Sequence, residues 1–169
     1  MSRPRTPILA VLTTVLALLG IALAGSPAQA VPRVAQLNVW KSSHCLDDRT
    51  QNTSVVQMWS CSGASEQKWL LTYNPTNGMF TFANQRFGGC ITAPFIGTGN
   101  VDMQDCDPSR KEQSWHVMFA ENPADGGEYQ VWQNYSSGYC LTTPSVGNGT
   151  IPRTAVCDKD DQYDRWHLQ

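Results

Sequence analysis

The residues of this 169-residue chain that could do chemistry are six cysteines, three histidines and 14 acidic side chains. Asp47, Asp48 and Glu66 could supply the paired carboxylates of glycoside hydrolysis, which work about 5 to 9.5 Å apart. Nothing around them marks a deep cleft. The run Asp158-Lys159-Asp160-Asp161, with Asp164, offers oxygen ligands of the kind calcium takes. It lacks the glycine and closing glutamate of an EF-hand loop and reads as a solvated acidic turn. His44 abuts Cys45, with no Ser or Cys partner pattern beside it. His116 and His167 each follow a tryptophan, an equivalence that marks a structural role. No catalytic residue, metal site or cofactor is expected. Sequons begin at Asn52, Asn134 and Asn148 and would matter only in a host that glycosylates.

The cysteines carry the clearest pattern, because they are periodic. They fall as Cys45/Cys61, Cys90/Cys106 and Cys140/Cys157, separated by 16, 16 and 17 positions. Trp69, Trp115 and Trp166 follow the second cysteines by 8, 9 and 9 positions. Leu46, Ile91 and Leu141 directly follow the first ones. The first cysteines are 45 and 50 positions apart, so one unit of about 45 residues occurs three times. Six cysteines allow 15 pairings. Threefold repetition selects the pairing in which each cysteine bonds its partner within the unit. Each bridge then closes a loop of about 16 residues, worth roughly 3 kcal/mol.

Short strands must position these residues. Gln36–Trp40 and Tyr129–Trp132 alternate as half-buried strands do, Met79–Ala83 is a further copy, and Val55–Trp59 is another strand candidate. Turn clusters stand at Asn74–Gly78, Asn122–Gly127 and Gly147–Gly149. No segment carries an amphipathic helix. One unit cannot bury its own apolar face, so the three are expected to share one core, and a closed β structure would leave no exposed edges.

Residues 1–30 stand apart. Arg3 and Arg5 precede an apolar run from Ile8 to Leu23, then Ser26-Pro27-Ala28-Gln29-Ala30, the pattern of a secretory signal peptide cut after Ala30. The alternative is an uncleaved membrane anchor. The remaining 139 residues carry 10 basic and 14 acidic side chains, a formal −4, and all six cysteines. That balance argues against nucleic acid, and no other apolar run is long enough to span a membrane. A hydrophobic fraction of 41% with 15% charged residues fits a folded, turn-rich β protein that is secreted with its disulfides formed.

Gln67-Lys68-Trp69 and Gln113-Ser114-Trp115 resemble the Gln-x-Trp signature of ricin-type β-trefoil lectins. The third copy, Asp164-Arg165-Trp166, carries Asp in place of Gln. The resemblance covers residues 35–169 and implies an all-β trefoil: twelve strands, a six-stranded barrel and a hairpin-triplet cap, with one disulfide per repeat. Trp69, Gln113, Trp115, Asp164 and Trp166 would then be structural. The resemblance also implies carbohydrate binding, with galactose- or xylose-type glycans the family expectation. Its binding positions fall on Asp47 for the carboxylate, Gln57 for an amide, Trp59 for the aromatic platform, and Glu66 and Gln67 for further polar contacts. For Asp47 the competing role is a turn residue bonding its own backbone, and for Trp59 packing under the barrel. Repeat two has Thr92 and Gln104 at the carboxylate and platform positions, and repeat three has Thr142 and Ala155, with Arg153 matching Gln57. One sugar site, in the first repeat, is therefore expected. The competing function is a protein-contact trefoil, a toxin-complex subunit or an inhibitor.

Overall fold

The computed structural model describes residues 32–49, 54–121 and 128–169. The expected leader, the cut before Val31, the sequon at Asn52 and the turn at Asn122–Gly127 lie outside the described residues. Fourteen strands occur among the described residues: β1 (Arg33–Ala35), β2 (Leu37–Val39), β3 (His44–Asp48), β4 (Val56–Ser60), β5 (Trp69–Asn74), β6 (Met79–Asn84), β7 (Cys90–Thr92), β8 (Gly99–Asn100), β9 (Asp102–Gln104), β10 (Trp115–Glu121), β11 (Tyr129–Asn134), β12 (Cys140–Thr142), β13 (Arg153–Ala155) and β14 (Trp166–Leu168). Two of the twelve expected strands are interrupted, at Gln36 and at Val101, which raises the number to fourteen. Among the described residues no helix is long and apolar enough to cross a membrane.

Strand pairing closes a ring. β1 pairs with β5, β5 with β6, β6 with β10, β10 with β11, β11 with β14, and β14 with β2. Because β1 and β2 are halves of one strand, this is a six-stranded barrel. Each repeat contributes its first and last strand to it, and its middle two form a hairpin. The hairpins β3–β4, β7–β9 and β12–β13 meet one another as a cap. β8 pairs with β13, Val55 bridges Asp102, and the amide of Met58 donates to the carbonyl of Thr150 at 2.7 Å. This is the expected β-trefoil.

The core is built three times over. Trp69, Trp115 and Trp166 are fully buried. Each indole N–H donates to the carbonyl of the aliphatic residue after the first cysteine: Leu46 at 3.0 Å, Ile91 at 3.3 Å and Leu141 at 2.8 Å. A buried indole without such an acceptor would carry the desolvation cost of its N–H. A short 3₁₀ turn delivers each tryptophan: Ser65–Gln67, Lys111–Gln113 and Gln162–Asp164. Between them pack Leu37, Leu46, Met58, Phe82, Ile91 and Leu141, with Trp132 edge-on to Phe82 at 4.9 Å.

The turns before β7 and β12 share one design. Asn84 and Asn134 accept backbone N–H donors of the turn, and each chain reverses at a glycine, Gly88 (φ 79°) or Gly138 (φ 73°). Left-handed φ favours glycine there. Disulfides join Cys45–Cys61, Cys90–Cys106 and Cys140–Cys157, as the repetition requires. Each ties the base of a cap hairpin.

Candidate functional site

The β3–β4 hairpin decides which side chains meet. Its register sets Cys45 opposite Trp59, Leu46 opposite Met58, Asp47 opposite Gln57 and Asp48 opposite Val56. Side chains alternate across a strand, so Asp47, Gln57 and Trp59 share one face while Leu46, Met58 and Val56 share the other. The first face lines a hollow of about 500 Å³, and Glu66 and Gln67 from the 3₁₀ turn complete its wall with Arg49 and Ser60. All five residues singled out in the sequence therefore line one hollow.

Their surroundings differ. Trp59 is 41% exposed and presents a ring to solvent, not to the barrel. Asp47 is 6% exposed and sits at the base. Its two oxygens accept from the Gln57 amide at 3.1 Å and the Gln67 amide at 3.1 Å. It serves as an anchored carboxylate across the hairpin and does not bond its own turn. Gln67 is buried, donating also to the Ser60 carbonyl at 3.0 Å and accepting from the Ser62 amide at 2.7 Å. It positions Asp47 from beneath. Glu66 stands at the rim, paired with Arg86 at 2.8 Å. A hydrogen bond that its carboxylate accepts from its own backbone N–H, and then that guanidinium, lower its pKa.

Asp48 belongs to the opposite face, among the core residues, and is 3% exposed. Burial first, then the charges of Asp47 and Glu66, push its pKa up to about 6. Asp47 and Asp48 point to opposite sides of one strand, so this pair cannot flank a single glycosidic bond. Among the described residues no cluster of three or more His, Cys, Asp or Glu side chains is placed to hold a metal. In the acidic run, Asp158 accepts from the Asp160 amide, Asp161 from the Tyr163 amide and Asp164 from the Asp158 amide. Those carboxylates shape the chain. His167 bonds the Glu128 carbonyl through Nδ1 at 2.7 Å.

No protein-family model matches the sequence. The agglutinin of Ricinus communis is 30% identical over 103 residues, 61% of this chain. That stretch is only 16% of the agglutinin's length. Among solved structures, a designed threefold-symmetric protein, ThreeFoil, superposes with a TM-score of 0.67 at 19% identity, over 80% of this chain and 96% of that one. The hemolytic lectin CEL-III matches with a TM-score of 0.64 at 21% identity, over 82% of this chain and 33% of that one. The domain is a β-trefoil.

The Gln two positions before the core tryptophan has the same job in repeats one and two. Gln113 repeats the bonds of Gln67, donating to Thr92 Oγ1 at 3.1 Å and the Asp105 carbonyl at 2.9 Å, and accepting from the Asp107 amide at 2.8 Å. Asp164 keeps the acceptor half, from the Asp158 amide at 2.8 Å, and loses the donor half. Burial raises its pKa, against lowering hydrogen bonds from Thr142 and the Asp158 backbone.

Repeat two holds a feature that matching by the first cysteine passes over. A second hollow, about 560 Å³, lies on its hairpin, lined by Thr92, Phe95, Asn100, Asp102, Gln104 and Glu112 among others. Thr92 faces Asp102 in the register, as Asp47 faces Gln57. Counting back four positions from the second cysteine brings Gln57, Asp102 and Arg153 into line. That count was the available signal for Asp102.

Proposed function

We propose that this trefoil is an exported lectin that binds glycans non-covalently through the first-repeat hollow. The observation that carries the reading is the half-exposed ring of Trp59 standing beside Asp47, whose two oxygens are held by the amides of Gln57 and Gln67. A sugar presents a C–H patch and pairs of hydroxyls. The ring takes the patch, and the fixed carboxylate accepts the hydroxyl hydrogens. Likeness to an agglutinin supports the same reading. A shallow hollow with one stacked ring and few hydrogen bonds implies a Kd near the millimolar end, about −4 to −6 kcal/mol. Useful avidity then needs several copies on one surface. The first thirty residues act as the export signal, so N-terminal sequencing of the secreted protein should begin at Val31.

A glycan array, with galactose- and xylose-type sugars included, identifies the ligand, and titration calorimetry measures it. Trp59→Ala and Asp47→Asn should each weaken binding at least about tenfold, or about 1.4 kcal/mol, with little change in melting temperature. Full binding by the double variant would remove the first repeat from the chemistry. An array that retains no glycan would favour the protein-contact trefoil instead.

A further inference from the structure

The barrel has a second end, away from the cap. Towards it Leu71 faces Phe82, Val117 faces Trp132 and Leu168 faces Leu37, three register pairs that form one layer of the core. One step further down, Tyr73 faces Phe80. Side chains alternate along a strand, so Phe80 shares the inner face with Phe82, and Gln130 shares it with Trp132. The third repeat thus sets an amide where the second has a ring, and the first has only Ala35, two positions before Leu37. This lowest layer is not filled. It leaves a hollow of about 340 Å³ to which all the barrel strands contribute: Arg33 from β1, Tyr73 from β5, Phe80 from β6, Val117 from β10, Gln130 from β11 and Leu168 from β14. Phe80, Val117 and Leu168 pack against the core but are only partly buried. Trp132 and Gln130 each keep a buried polar atom, Nε1 and Oε1, without a hydrogen-bond partner among the described residues. The barrel's own side chains therefore do not complete this wall. Arg33 is exposed and is the charged residue of the lining. Among the described residues it forms no salt bridge. Glu128 accepts from the Gln130 amide at 2.8 Å and does not line the hollow.

We propose that this hollow binds a free fatty acid of medium chain length, the acyl chain inside the barrel end and the carboxylate at Arg33. Aromatic and aliphatic side chains make up most of the lining, and an acyl chain set against them removes apolar surface from water on both sides. The guanidinium at the mouth matches a carboxylate with two parallel charge-assisted hydrogen bonds, which neither an alcohol nor an ammonium can accept in that form. A volume near the lower limit of ligand pockets, roughly 300 Å³, suits one short chain and not the two chains of a phospholipid. Asp47 and Trp59 stand on a cap hairpin at the other end of the barrel, so the inference does not rest on the glycan reading.

The test is titration calorimetry of the exported protein with decanoate, below its micelle concentration, against decanol and decylammonium. Decanoate should bind at one site per chain, about tenfold tighter than either of the others. Arg33→Gln, at an exposed position, should weaken decanoate about tenfold and leave decanol unchanged. Gln130→Phe supplies the ring that Phe80 supplies in the second repeat. It should fill the hollow and abolish decanoate binding without lowering the melting temperature. If that variant fails to fold, Arg33→Gln and the order of the three probes still decide. No decanoate binding, equal affinity for the three probes, or decanoate binding untouched by both variants overturns the inference. Vesicles of anionic phospholipid should leave the protein in solution on sedimentation. Co-sedimentation that Gln130→Phe abolishes would assign the hollow to a membrane surface and overturn the free-acid reading.

Discussion

Burial raises the pKa of two carboxylates, Asp48 and Asp164. Asp48 projects to the core face of β3, and its raised pKa of about 6 means that the folded state holds its proton more tightly than the unfolded chain does. Stability from such a group is present below the unfolded value near 3.8 and is lost as pH rises through about 6. Asp48→Asn should therefore raise the melting temperature at neutral pH and change it little below pH 4. Discounted for water around the pair, the gain is about 1 kcal/mol, or roughly 2–4 °C. A variant less stable at neutral pH would show that Asp48 holds a bond the core needs. Asp164 is the second case, with the same sign, since burial raises its pKa as well. Asp164→Gln restores the donor that Gln67 and Gln113 use and removes a buried charge. Urea denaturation should show a gain of about 1 kcal/mol at neutral pH, shrinking as acid protonates the native Asp.

At the scale of the strand and hairpin, the disulfides act as staples on the cap. The barrel strands are six or seven residues long in β5, β6, β10 and β11, but β7, β12 and β13 have only three. Strands that short hold few ladder bonds, so a bridge at the base of the hairpin supplies what pairing does not. At roughly 3 kcal/mol each, three bridges amount to about as much as a domain's whole stability. Full reduction should lower the melting temperature sharply, by well over 10 °C, and non-reducing peptide mapping should recover three intra-repeat pairs. A peptide joining two repeats would overturn the register.

The same hairpins show what the sequence made legible. Cysteine and tryptophan spacing gave the repeat and its disulfides, because each tryptophan needs the carbonyl beside the first cysteine, whereas the barrel was implied only by the Gln-x-Trp resemblance. The strand break at Gln36 leaves no composition signal, since Gln36 is set by its pairing with Gln169. Asp48 was legible as an acid but not as a buried one, because its side depends on hairpin register. Asp102 escaped for a related reason. In a two-stranded hairpin, a face is defined by both strands, and a motif counted along one strand sees only half of it.

The whole molecule is held by ring closure. No barrel strand lies at an edge, and the repeats share one core, so no repeat has a surface of its own to fold against. Closure also brings the two ends of the described chain together. The Gln36 amide donates to the Gln169 carbonyl at 2.8 Å, and the Gln169 amide donates back to the Gln36 carbonyl at 3.0 Å. β1 continues only a few residues beyond that pair, about 13 Å at strand rise. A Gly/Ser linker of about six residues from Gln169 to Pro32 can span this gap. A circular permutant reopened in the exposed turn at Asn74–Gly78 should then fold, form the same three bridges and keep the native far-ultraviolet spectrum. A permutant that stays unfolded would mean that the break at Gln36 needs a free chain end to form. If it folds, repeat two becomes the first to be synthesised and repeat one is completed last. The numbering of the repeats would then record the order of the gene, while the barrel itself would have no beginning.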